Sequence, residues 1–480
     1  MKKALAQAEH AVEALRAQRQ DDYYPRFHLA PLAGWINDPN GLICIDGVYH
    51  VFFQHHPYDE NWGPMHWGHA TSKDLVHWQH QPIALAPGDD YDKDGCFSGC
   101  AVDDNGVLTL IYTGHVWLGQ AGDDSQLREV QCLATSHDGI NFIKQGPVLS
   151  APEGIMHFRD PKVWRQADEW WMVLGAKEHN LGQARLYRST DLRHWQFERV
   201  LAAASSESQG YMWECPDMFP LADRHVLLFS PQGLAAQGYD NRNRFQSGYL
   251  LGNWQPENEF SITRPFSELD AGHDFYAPQT FVAADGRRLL FAWMDMWESP
   301  MPSKQHGWAG ALTLPRELTL NEKGKLQMHP ARELAALRGE KQQFAAALYR
   351  NQHHTLGDNL QELILTVNLA ASDAERYGIN VGQAARIYVD NQARRLVLER
   401  FSHEPALCSC RSVALPESDK LALQIFVDRS SLEVFVNHGE ACLTSRIYPQ
   451  DGDRHIALFA EAGSAQFGEI EAWALNSVWL

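Results

Sequence analysis

The sequence predicts an all-β protein in two parts, a β-propeller followed by a β-sandwich. Three observations carry that reading. A short Ser-x-Asp segment recurs along the first part, strand-like runs fill the intervals between its copies, and the texture changes after about residue 325. The recurring segments are TSKDLVHW (Thr71 to Trp78), TSHDGINF (Thr135 to Phe142) and RSTDLRHW (Arg188 to Trp195). Each places Ser two residues before Asp and an aromatic four residues after it. Ser and Asp side chains bond nearby backbone groups, so each copy is expected to be a turn.

Taken in chain order, the first segment is MKKALAQAEHAVEALRAQRQ, an Ala-rich stretch with Leu5, Val12 and Leu15 on one side. It reads as an amphipathic helix occupying residues 1–22. Residues 23–328 hold runs such as GVYHVFFQHH, VLTLIYTG, WWMVLGAK and HVLLFSPQG. They are rich in β-branched and aromatic residues and broken by Gly, Asn, Asp or Pro. Repeated four-strand units of this length are the pattern of propeller blades. HPARELAALRGEKQQFAAAL, from His329, breaks the pattern and is expected to be a helical or irregular linker over residues 329–345. Alternating stretches such as ELILTVNL and RIYVDNQARRLVLER return over residues 346–480, where a sandwich is expected.

Composition narrows the function. A chain of 480 residues exceeds one ordinary core. A net charge of −19 without a basic stripe argues against nucleic acid as a partner. No apolar run approaches the length of a membrane span. Glu9, Glu13 and Arg16 fall where an export signal would need an apolar block, so a cytoplasmic location is expected. The eight cysteines form no CxxC pair and read as free thiols in a reducing compartment. His66 and His69 form HxxH without the glutamate of HExxH, and Cys96 and Cys100 lack a companion pair, so no metal site is expected.

Among 60 acidic residues, three have unusual neighbours. Asp38 lies in WINDPNG, Asp160 in MHFRDPKVW and Glu214 in YMWECPDMF. Each precedes a proline by one or two residues, and each sits beside strand-like, aromatic sequence. A single such acid could cap a turn, but Glu is a poor turn former, and three are better explained as one shared pocket. Paired carboxylates are what glycoside hydrolysis requires, one to protonate the leaving oxygen and one to attack the anomeric carbon or activate water. Arg159 is expected to hold its neighbour Asp160 ionised.

WINDPNG, FRDP and the Glu214-Cys215 pair, in that order, resemble the three motifs of glycoside hydrolase family 32, the β-fructosidases. FFQHHP, NWGPMHWGHATS, CFSGCAV, GHDFYAPQ and FAWM resemble that family too, and the likeness runs from about residue 24 to the end. The resemblance implies five propeller blades, a following sandwich, and hydrolysis with retention at the fructosyl C2, without metal or organic cofactor. By position it implies Asp38 as nucleophile, Glu214 as general acid/base and Asp160 as transition-state stabiliser. It places Asn37, Gln54, Trp62, Phe97, Ser98 and Arg159 around the fructosyl group, with Tyr276 and Trp293 as further members of that wall; Trp35, beside Asp38, is expected to present apolar surface to the sugar ring. The expected substrate is sucrose. The alternatives are sucrose 6-phosphate, with Lys177, Arg242, Arg244 and Lys304 as candidate phosphate ligands, a fructan, or a propeller lectin without catalysis. A lectin would have no use for all three acids.

Overall fold

The computed structural model describes residues 1–358 and 361–479; Asn359, Leu360 and Leu480, at the margins of the expected sandwich, lie outside the described residues. Five antiparallel sheets form the blades of a propeller. Their innermost strands are Gly34–Ile45, Gly95–Asp104, Phe158–Gln166, Met212–Leu221 and Tyr276–Val282. These five pack against one another in a ring around a central channel. A short strand between the second and third strands of the fifth blade, Trp308–Ala309, pairs in parallel with Gly34 and Trp35 of the first and closes the circle.

The three Ser-x-Asp segments occupy one position, the turn between the third and fourth strands of blades 1, 2 and 3. In each, the Ser hydroxyl donates to the Asp carboxylate, as from Ser72 to Asp74 at 3.0 Å. The carboxylates of Asp74, Asp138 and Asp191 each accept two backbone N–H groups, those two and three residues ahead. The repeat is therefore a self-contained turn that spends no long-range contact, which is why it is visible in the sequence.

Each innermost strand also carries an irregularity that no local pattern announces. The register slips between Ile36 and Pro39, Phe97 and Gly99, Glu214 and Asp217, and Tyr276 and Gln279, and in blade 3 opposite Val173 and Gly175. A bulge inserts an unpaired residue and re-aims its side chain. Proline lacks the N–H that a regular ladder needs, so Pro161, Pro216 and Pro278 fit there.

Helix Lys2–Arg16 packs Ala8 and Val12 against Ile83 of blade 1. The stretch expected as a linker is not one throughout. Arg332–Leu337 forms a 3-10 turn, and Arg338–Phe344 is already a strand paired with Ile456–Leu475, the long last strand of the C-terminal sheet. Its charged, glutamine-rich sequence misled because this strand is mostly exposed and needs little apolar alternation. Eleven strands make up that sheet, which forms the β-sandwich.

Propeller and sandwich share a core in which Phe426, Phe435 and Trp473 of the sandwich pack with propeller residues such as Phe281 and Leu318. A buried charge network crosses the junction. Arg316, fully buried, donates to Asp270 at 3.0 Å and to Glu433 at 2.7 Å. His28 lies between Asp428 and Glu433, 2.8 Å from each. Arg400 donates to Asp274 at 2.7 Å. Each of these pairs satisfies a charge that would be costly to leave alone.

Candidate active site

All three acids lie in the N-terminal halves of innermost strands, in blades 1, 3 and 4, so they meet at one end of the channel. There they line a cavity of about 230 Å³ together with Asn37, Gln54, Trp62, Phe97, Ser98 and Arg159. Cys215 shows how close they come, with its sulfur 3.5 Å from Asp38 Oδ2 and 3.6 Å from Asp160 Oδ2.

Asp38 is held on both oxygens. Ser98, at the bulge of blade 2, donates to Oδ2 at 2.5 Å, and Asn37 donates to Oδ1 at 3.2 Å. Asn37 is fixed in turn by the Trp35 indole, which donates to its side-chain oxygen at 2.8 Å. Burial raises the Asp38 pKa to about 6, with the Glu214 charge acting in the same direction and the Ser98 hydrogen bond against it.

Asp160 adopts a left-handed backbone, φ 67°, as does Cys215, φ 49°. Such angles are uncommon outside glycine and persist where surrounding bonds over-determine them. Here those bonds are visible. The Asp160 N–H donates to Thr113 Oγ1 at 3.0 Å, and the Cys215 N–H donates to Asp160 Oδ2 at 2.9 Å. Burial pushes the Asp160 pKa well up, and the neighbouring Glu214 charge adds to it.

Glu214 has four donors. Arg159 forks onto Oε1 through Nε at 3.0 Å and Nη2 at 2.8 Å, while Gln232 and Tyr276 donate to Oε2 at 2.8 and 2.5 Å. This corrects the expectation for Arg159. Its guanidinium engages Glu214 and buried Glu129, not the adjacent Asp160, because successive residues on a strand point to opposite sides.

The aromatic wall also differs from expectation in part. Trp62 is 39% exposed at the mouth and meets the edge of Phe97. Trp35 and Trp293 do not line the cavity. They pack behind it, ring centroids 5.8 Å apart, in a cluster with Met65 and Met296. Tyr276 is buried as well and reaches the site through its hydroxyl alone.

The lining includes residues that the sequence reading passed over: His115, Trp117, Glu129, His157, Gln232 and Trp297 among them. Glu129 had no distinct local signal, because its strand Leu127–Ser136 also carries Arg128 and Gln131. It is 1% exposed, accepts from the Phe158 N–H at 2.7 Å, and contacts both His115 and Arg159. The others sit on strands or loops whose sequence shows nothing unusual.

A propeller with three convergent acids at one channel mouth defines a glycoside hydrolase site. The chain belongs to glycosyl hydrolase family 32: the family's N-terminal domain model matches residues 28–330 and its C-terminal model residues 333–474. It is 58% identical over 472 residues to a sucrose-6-phosphate hydrolase of Escherichia coli, covering 98% of each chain. A raffinose invertase of Escherichia coli is 55% identical, over 99% of this chain and all of the relative. Among solved structures, a Bombyx mori β-fructofuranosidase in complex with sucrose matches with a TM-score of 0.87 at 35% identity, covering 100% and 99% of the two chains.

Proposed function

We propose that the chain is a retaining β-fructofuranosidase that hydrolyses sucrose to glucose and fructose through a fructosyl-enzyme intermediate. The observation that carries this is the convergence of Asp38, Asp160 and Glu214 on one cavity, each held by its own set of donors. Asp38 attacks the fructosyl C2 as the bond from C2 to the glucose oxygen breaks, and Glu214 supplies a proton to that oxygen. Water then attacks C2, Glu214 takes its proton, and Asp38 is released. Asp160 binds the fructosyl hydroxyls. Ser98 and Asn37 hold Asp38 in place, so little orientation is left to chance at each turnover. Trp62 and Phe97 present apolar faces at the mouth.

Sucrose 6-phosphate is the second reading, favoured by the name of the 58% identical relative. The cavity supports it less. None of Lys177, Arg242, Arg244 and Lys304 lines it, Arg244 pairs with Glu298 at 3.1 Å, and Arg159 is engaged by two carboxylates. We place the enzyme in the cytoplasm, a reducing compartment that suits its eight free cysteines; among the described residues no helix is long and apolar enough to cross a membrane.

The deciding experiment compares kcat/KM for sucrose, sucrose 6-phosphate, raffinose and inulin, with the first-formed fructose anomer followed by NMR. Sucrose with at least a tenfold advantage over its 6-phosphate, and initial β-fructose, is the expected result. A preference for the phosphate would select the second reading, and initial α-fructose would exclude the covalent intermediate.

A further inference from the structure

The propeller channel has a second chamber. The C-terminal halves of the innermost strands, from Leu42–Cys44, Lys162–Gln166, Met218–Pro220 and Phe281–Val282, enclose a cavity of about 560 Å³ at the end opposite the acids. It is larger than the catalytic cavity and within the range of small-molecule sites.

Its charge is the reverse of the protein's. The chain carries −19, yet among the described residues no carboxylate lines this cavity, while Lys162, Arg165 and Arg288 do. Arg288 has no carboxylate at ion-pair distance among the described residues. Its guanidinium lies 4.7 Å over the Phe219 ring and makes one long contact, 3.4 Å, to Thr280 Oγ1. Burial lowers its pKa, and the charge of Asp217, beyond ion-pair distance, offsets this only in part. Arg165, at the exposed rim, likewise has no ion pair and sits over Trp170. Lys162 is 3.5 Å from Asp217, a buried acid beneath the cavity. Thr280 occupies Asp217 Oδ2, and Oδ1 has no hydrogen-bond partner among the described residues. Three positive groups thus face one negative one.

A half-buried guanidinium without a carboxylate at ion-pair distance is costly unless an anion completes it. Arginine suits phosphate oxygens through its planar fork. The apolar side of the cavity is set by the partly exposed Trp164, backed edge to face at 5.9 Å by the buried Trp254, so that one indole is available to a sugar ring. We propose that this far end of the channel is a binding site for a phosphorylated monosaccharide, separate from the catalytic site, with Arg288 and Arg165 as its anion ligands.

The test uses the full chain carrying Asp38→Asn, so that sugars are not consumed. Glucose 6-phosphate is titrated calorimetrically into it with saturating sucrose in both solutions, and glucose serves as the uncharged control. One site that persists in sucrose, is absent for glucose, and weakens at least tenfold in Arg165→Gln/Arg288→Gln is expected. Arg165→Glu, a reversal at an exposed rim that leaves the core intact, is expected to weaken it too. The same arginine changes on an otherwise unaltered chain should leave sucrose hydrolysis unchanged. Displacement by sucrose, equal binding of glucose, equal affinity in both arginine variants, or no binding at millimolar concentration would each overturn the assignment.

Discussion

The guanidinium of Arg159 forks onto a single oxygen of Glu214, at 2.8 and 3.0 Å, from the neighbouring blade. Its remaining nitrogen, Nη1, reaches Glu129 at 3.3 Å. One arginine therefore sets the orientation of the proposed proton donor, and a buried acid on a third blade sets the arginine.

Arg159→Lys keeps the charge and loses the fork. A catalytic group displaced by about 1 Å loses on the order of 10²-fold in rate. We expect kcat/KM for sucrose to fall by about that factor, with the far-UV circular dichroism unchanged. Activity within about twofold of the parent would show that the fork does not position Glu214.

Glu214→Ala should cost orders of magnitude on sucrose, whose glucose oxygen needs a proton to leave. Formation of the fructosyl-enzyme from a fructoside with an acidic leaving group should suffer far less, since that group departs unassisted. Single-turnover burst measurements on both substrates distinguish the outcomes, and equal loss in the first step would remove Glu214 from the acid role.

As the proposed nucleophile Asp38 has to be ionised, and burial raises its pKa to about 6. The acidic limb of kcat/KM should therefore fall as pH drops through about 6. Ser98 stabilises the charged form, so Ser98→Ala should move that limb upward. A hydrogen bond to a charged group is worth about 1.5–3 kcal/mol, which corresponds to a shift of about one unit or more. A limb that stays in place or moves down would separate Ser98 from the ionisation of Asp38.

His28 gives the interdomain junction a pH dependence. Burial pulls its pKa down, but the hydrogen bonds to Asp428 and Glu433 outweigh this and hold it above 6.5. A raised histidine contributes stability that is fully present below the unfolded value, about 6.5, and is lost as pH rises through the folded value. The difference in Tm between the parent and His28→Gln should accordingly be largest near pH 6 and shrink toward alkaline pH. A gap that widens with pH would mean that His28 is neutral in the folded protein.

Cutting the chain after residue 340 should yield insoluble protein. The cut leaves His28 without both carboxylates, Asp274 without Arg400 and Arg316 without Glu433, all buried. Breaking one buried pair by removing a partner costs about 3–5 kcal/mol, and typical domain stabilities are about 5–15 kcal/mol. Soluble, sucrose-cleaving fragment from such a truncation would show that the propeller stands alone.

What could be read in advance was local. The Ser-x-Asp turns bond within themselves, and the prolines beside Asp160 and Glu214 sit in the same few residues as the acids. The bulges were out of reach, because a slipped register exists only between two strands. Arg159 was misassigned to its chain neighbour for the same reason: its partners lie 55 and 30 residues away, on other blades. Trp35 and Trp293 show the third limit. An indole signals apolar surface, but only packing decides whether it faces a cavity or supports the wall behind one.

The pairing of Trp308–Ala309 with Gly34 and Trp35 lies next to Asp38, and Val478 then bonds across to Arg26 and Trp78. Asp38 therefore leaves the ribosome on a strand whose supporting neighbour is made much later. Until blade 5 has emerged and turned back, that strand has an open edge and the acids have no common wall. A nascent chain should accordingly pass most of its synthesis unable to cut sugar, with its first edge exposed to chaperones or to misplaced pairing. Activity then becomes a late property of translation, and premature termination anywhere before the ring closes produces inert chains rather than weak enzymes.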